Sequence, residues 1–157
     1  MKKHLLALAS CALLLLAAGC NNENKEPTSL NANEARPTWA APEEYDYTSS
    51  MTAVISVNLA AKYPTAAADF AVNADDLLAA FVGNDCLGVV SPQDGLFYLY
   101  IAGPQTDSQD QTASVTLRYW SAQYKNLFTA EAAFPFVNDD QKGTVAAPFV
   151  PDFMVAK

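Results

Sequence analysis

Histidine is almost missing from this chain. The only one, His4, sits at the very start of the 157 residues. Past that point Ser–His and Cys–His nucleophile pairs, histidine general bases and histidine metal sites are excluded. Cysteine is nearly as scarce, with Cys11, Cys20 and Cys86. The first two belong to an apolar leader or its border, which leaves Cys86 alone in the body of the chain. A lone thiol makes neither an internal disulfide nor a cysteine zinc site. Cys86 precedes Leu87-Gly88-Val89-Val90, the setting of a small buried hydrophobe. Basic charge is short as well: nine Lys and Arg face seventeen Asp and Glu, a formal charge of -8. Such a chain lacks the basic footprint that nucleic acid needs, and an anionic membrane surface is no better as a direct ligand. The acids are scattered, as in a solubilising surface. No Gly-x-Ser-x-Gly nucleophile elbow is present. The adjacent acids Asp75-Asp76 and Asp139-Asp140 imply no glycosidase cleft. The expectation is a protein without catalysis, cofactor or metal.

What is present begins with MKKHLLALASCALLLLAAGC. A basic start precedes residues 5–18, which are apolar apart from Ser10 and Cys11. That run falls short of the roughly 20 residues a bilayer core demands. A basic start, an apolar centre and a small-residue exit read as a secretory signal. The exit Leu16-Ala17-Ala18-Gly19-Cys20 resembles the lipobox of bacterial lipoproteins, with Ala17 where a larger aliphatic residue is common. The resemblance implies cleavage after residue 19 and acylation of the Cys20 thiol. Leu8-Ala9-Ser10-Cys11 fits the consensus residue by residue, but only Leu5, Leu6 and Ala7 precede it as an apolar centre. Cutting there would leave ALLLLAAGC on the mature chain, so Cys20 is preferred; the alternative is an ordinary signal peptide cut nearby without lipid. Each buried methylene of an acyl chain contributes about 0.8 kcal/mol to anchoring. Loss of Lys2 and Lys3 with residues 1–19 takes the formal charge from -8 to -10. Residues 20–38 are rich in Asn and Glu, contain Pro27 and Pro37 and show no apolar period. They read as a disordered tether, unable to offset its ordering entropy. The expected location is the cell envelope, lipid-anchored, at the outer membrane and facing periplasm or exterior.

Residues 39–157 are enough for one domain with a real core. Met51, Ala53, Ile55, Val57 and Leu59 alternate with Thr52, Val54, Ser56 and Asn58, a period of two. Strands are expected at 77–82, 86–90, 96–102, 113–121, 127–136 and 144–150, with turns at 83–85, 91–95 and 138–143. Pro135 marks an end or edge. Residues 60–68 have room for a helical turn, limited by Pro64. About seven short strands with turns at roughly 8–12-residue spacing imply an all-β fold, a single immunoglobulin-like or jelly-roll-type antiparallel β-sandwich.

Several stretches carry a family likeness. Trp39, then Tyr47-Thr48-Ser49-Ser50-Met51-Thr52, then the hairpin LAAFVGNDCLGV from Leu78 to Val89, then Phe97-Tyr98-Leu99, resemble extracellular β-sandwich modules. These occur in secreted and surface proteins of Bacteroidetes-type bacteria, and also show a late Asp…Gly turn like Asp140…Gly143. The resemblance covers nearly all of residues 39–151, and the hairpin is its most specific part. Leu87 stands where that family commonly has Arg. The resemblance implies a fold and an extracellular setting, and no activity.

Three candidate sites follow from the residues. On the strand at 96–102, Phe97, Leu99 and Ile101 form the better core face, leaving Tyr98 and Tyr100 outside. On the strand at 113–121, Val115, Leu117 and Tyr119 face the core, leaving Thr116, Arg118 and Trp120 outside. In one sheet, Tyr98, Tyr100, Trp120 and Arg118 would form an outer platform. Aromatic rings beside a forked donor suit sugar rings; the competing reading has loops packed over this face. The second candidate is calcium at residues 105–110 or 138–140, where turn chemistry explains the same acids. Neither matches an EF-hand loop. The third, a carboxylate-pair enzyme, lacks a cleft. Two functions stay open: a binding module for a glycan, or an accessory subunit of a surface protein assembly. An exposed Trp120 favours the first; an open strand edge at residues 144–150 favours the second.

Overall fold

The computed structural model describes residues 26–43, 47–103 and 113–157. The signal segment, Cys20 and the acidic loop at 105–110 lie outside the described residues. The described elements are β1 (Ser50–Ile55), α1 (Leu59–Lys62), β2 (Leu77–Val82), β3 (Asp85–Val90), β4 (Phe97–Ala102), β5 (Ser114–Ser121), β6 (Asn126–Pro135), β7 (Gln141–Lys142) and β8 (Met154–Val155). They form two sheets, ordered β4-β1-β7 and β3-β2-β5-β6-β8. The protein is an all-β sandwich. Pairing between strands is antiparallel except for β1 with β7, which run parallel.

The core follows from the period of two. Met51, Ala53 and Ile55 of β1 stand opposite Ile101, Leu99 and Phe97 of β4. These six pack against Leu78 and Ala80 of β2, Val115, Leu117 and Tyr119 of β5, and Phe128, Ala130 and Phe134 of β6 in one buried cluster. Tyr119 lies at its centre, with Phe97, Phe128 and Phe153 ring centroids at 5.9, 6.0 and 5.6 Å. Burial of such aromatic area is the main stabilising term.

The sheet edges are protected. Gly88 brings β3 against β4, where a Cβ would collide with the Tyr100 carbonyl oxygen. Only glycine permits that approach. At the opposite end of the larger sheet, the outward Val155 N–H of β8 donates to Tyr63 Oη at 3.0 Å. Short, capped and covered edges resist chain-to-chain pairing.

Three expectations are corrected. Residues 144–150 do not form a strand. Thr144 and Ala147 exchange backbone hydrogen bonds at 3.0 and 3.2 Å, closing a tight turn after Gly143, whose φ is +73°. Pro148 contributes no N–H. Phe149 alone docks on β1: its N–H donates to Val54 O and its carbonyl accepts from Ser56 N–H, both at 2.9 Å. The edge expected there is therefore engaged, and pairing falls instead on the short β7 and β8. The first strand also stops early. Asn58 caps α1 by accepting from Ala61 N–H at 3.1 Å, so Leu59 enters the core from a helix.

The third correction concerns the tether expected to reach residue 38. From Glu26 onward the chain is docked. The Glu26 carboxylate accepts from Thr65 and Ala66 N–H at 2.8 and 2.7 Å. Leu30 is only 2% exposed and joins the core, while Asn126 Nδ2 donates to its carbonyl at 2.6 Å. Ala32 and Glu34 donate to the Tyr124 and Lys125 carbonyls at 3.2 and 2.8 Å. Arg36 Nε donates to Asp75 O at 3.2 Å, and the Trp39 ring meets Phe81 edge-on at 5.7 Å. The polar composition misled because this segment is held by backbone groups and two widely spaced anchors, Leu30 and Trp39, rather than by an apolar stripe. Pro37 and Trp39 are half-buried between exposed neighbours. Below this part of the chain Leu77, Ala79, Phe81 and Trp120 are buried yet outside the central cluster. They make a second, thin apolar layer on the outer face of the five-stranded sheet.

Candidate binding surfaces

The outer face of the three-stranded sheet carries the two tyrosines. Tyr98 is 40% and Tyr100 50% exposed, while Phe97, Leu99 and Ile101 between and beside them are buried. Alternation along β4 therefore places the aromatic pair outside, as the sequence pattern predicts. Thr52 of β1 stands between Tyr100 and Gln141 of β7, and Val54 stands beside Tyr98. Together these five side chains line a shallow groove of about 260 Å³. Its floor is apolar at Val54. Its walls are two phenol rings, a hydroxyl and a carboxamide. This set offers ring faces for C–H contact and neutral donors and acceptors for hydroxyls.

Arg118 and Trp120 are elsewhere. Both belong to β5, in the other sheet: Arg118 lies between Ala79 and Thr129, and Trp120 between Leu77 and Leu127. The four-residue platform does not form. The alternation of β4 and β5 was read correctly, but two strands with outward faces in phase need not share a sheet, and here they belong to opposite layers. Trp120 is 6% exposed. Its indole Nε1–H is buried and has no acceptor among the described residues. The docked segment described above, tied at Tyr124, Lys125, Asp75 and Phe81, runs over this face, so the covering-loop reading holds for Trp120.

Arg118 remains half-exposed. Its guanidinium carbon lies 4.1 Å from the Phe81 ring centroid. A groove of about 440 Å³ begins beside it, lined by Leu127, Thr129, Glu131, Met154 and Lys157. Thr116 Oγ1 donates to Glu131 at 3.1 Å.

The other singled-out residues are structural. Asp76 is fully buried and accepts from Tyr119 Oη at 2.5 Å, Ala122 N–H at 2.8 Å and Asn73 N–H at 2.9 Å. Burial first, then the Asp76 charge and hydrogen bond, push the Tyr119 hydroxyl well above the ordinary tyrosine range. Asp75 serves through its backbone oxygen, which receives Arg36. Asn138 and Asp139 tie their turn to β1: Ser50 N–H donates to Asn138 Oδ1 at 3.0 Å, and Asp139 N–H donates to Ser50 O at 2.8 Å. Among the described residues no group of three or more His, Cys, Asp or Glu side chains converges as metal ligands do. Burial raises the Cys86 thiol, outweighing the lowering by Gly88 backbone hydrogen bonding and Arg118, which makes it a poor nucleophile.

Sequence reasoning missed Thr52, Val54 and Gln141 as neighbours of the tyrosines. Period two already marked Thr52 and Val54 as outward, but only strand pairing brings them beside β4. Compared with known proteins, the chain matches no family model, no curated protein and no solved structure.

Proposed function

We propose that this protein is a non-enzymatic lipoprotein of the cell envelope, held at the outer membrane by acyl chains on Cys20, whose β-sandwich binds a glycan. The observation that carries the reading is the Tyr98–Tyr100 pair, exposed side by side on a sheet otherwise packed by its inner face. Tyrosines left half in water, flanking an apolar floor with Thr52 and Gln141 at its rim, match the alternating C–H faces and hydroxyls of a neutral sugar chain. The likeness to extracellular modules and the lipobox-like Leu16–Cys20 stretch support the setting. The accessory-subunit alternative drew on an open edge at residues 144–150, and Phe149 engages that edge with β1.

The test is a glycan array probed with the mature chain in detergent, followed by titration of Tyr98→Ala and Tyr100→Ala. Each substitution is expected to weaken binding by about 2 kcal/mol, as loss of an aromatic anchor does. Stability should move by less than about 0.5 kcal/mol, as for surface positions. No binding across a broad array, or unchanged binding in the double variant, overturns the glycan reading; protein partners recovered through the same face would then favour the assembly role.

A further inference from the structure

We propose that the groove beside β6 and β8 is a separate carboxylate site. It takes one carboxylate-bearing sugar residue, of the uronic-acid kind, within an otherwise neutral saccharide. The inference does not depend on the tyrosine face, which lies on the other sheet.

Arg118 is the starting point. Its guanidinium is held over the Phe81 ring at 4.1 Å, a cation–π contact that fixes the planar group and uses none of its N–H donors. Among the described residues it has no hydrogen-bond acceptor, and the one ion pair there, Lys62 with Asp152, is remote from it in the fold. In a chain with seventeen acids and nine basic residues, an immobilised arginine without an acidic partner is unusual. Its fork is free to meet a carboxylate in the bidentate geometry it favours. The rest of the groove fits a sugar around that group. Leu127 and Met154 supply apolar contact, Thr129 a hydroxyl, Glu131 an acceptor for sugar hydroxyls, and Lys157 a second cation at the rim.

Charge narrows the ligand further. Glu131 in the same groove disfavours a dianion such as phosphate. A polyanion would lie across an acidic surface over many times the Debye length of about 8 Å at physiological salt, and would be repelled along most of it. A single carboxylate feels mainly the local field of Arg118 and Lys157.

The experiment titrates the mature chain in detergent micelles with four probes: a neutral oligosaccharide bearing one glucuronic acid residue, its counterpart with glucose in that place, polygalacturonate, and inorganic phosphate. The mono-uronate should bind at least tenfold more tightly than the other three and weaken as salt rises. Arg118→Gln should remove that tenfold preference, Arg118→Lys should keep part of it, and Tyr98→Ala with Tyr100→Ala should leave it intact. Amide shifts on the wild-type chain should centre on Arg118, Thr129 and Met154, a readout that survives even if Arg118→Gln fails to fold. Equal binding of the neutral counterpart, a preference for phosphate or polygalacturonate, shifts centred elsewhere, an unchanged preference in Arg118→Gln, or no binding of the mono-uronate would each overturn the proposal.

Discussion

Replacing Asp76 by alanine should be among the most damaging single changes in this domain. The carboxylate is fully buried and satisfies three donors: the Tyr119 hydroxyl, the Ala122 N–H and the Asn73 N–H. Hydrogen bonds to a charged group contribute about 1.5–3 kcal/mol each, and a buried donor left without a partner costs about 1–3 kcal/mol. The two N–H groups border half-buried chain and regain water, whereas Tyr119 lies at the core centre and does not. The expected loss for Asp76→Ala is therefore about 3–4 kcal/mol. Asp76→Asn keeps the shape but turns an amide donor toward donors, and should cost about 2 kcal/mol. Tyr119→Phe removes the buried hydroxyl together with its need and should cost about 1–2 kcal/mol. Urea melts of the two singles and the double, read as a cycle, should give a coupling of at least about 1 kcal/mol. The same contact sets an alkaline limit. Because the folded Tyr119 hydroxyl titrates above its unfolded value of about 10, its contribution is complete below pH 10. Above that pH the unfolded chain loses the proton first, and stability falls by about 1.4 kcal/mol per pH unit. Tyr119→Phe should flatten that fall to the part due to Tyr124, whose hydroxyl is also raised, by burial and then by Asp69. A loss under about 1 kcal/mol for Asp76→Ala, or alkaline melting unchanged in Tyr119→Phe, would refute the reasoning.

Phe81→Ala should destabilise by about 3 kcal/mol in denaturant melts, because its ring is buried between Trp39 and Arg118; a loss below about 1 kcal/mol would mean the thin outer layer contributes little. Gly88→Ala should destabilise by more than about 2 kcal/mol, since its Cβ meets the Tyr100 backbone rather than a movable side chain, and a mild effect would show that β3 and β4 separate easily. Leu30→Ala should cost about 2–3 kcal/mol and speed proteolysis between residues 26 and 39; equal cleavage rates would argue against docking of that segment. Cys20→Ala should abolish fatty-acid labelling and release the protein from membranes, whereas labelling that persists there and is lost in Cys11→Ala would move the anchor to Cys11.

The residues by themselves determined a good deal. Period two marked the inner faces of β1, β4 and β5 residue by residue, because a strand must bury one side and that demand is local. The scarcity of histidine and cysteine bounded the chemistry without any structure. Charge balance argued against polyanionic partners in the same way. Tertiary structure alone decided the rest. Phase along a strand says which side chains point outward, but not which layer the strand joins, so Tyr98 and Tyr100 parted from Arg118 and Trp120. Outward is also not the same as exposed. Trp120 points away from the core and is still buried, because a stretch of polar chain from residue 26 to 39 lies across the sheet, held by backbone hydrogen bonds that leave no trace in side-chain pattern. The Asp76–Tyr119 contact, spanning 43 residues, and the meeting of Thr52, Gln141 and the two tyrosines likewise arise from strand pairing, since contacts between distant segments depend on topology and a one-dimensional pattern carries only the local period.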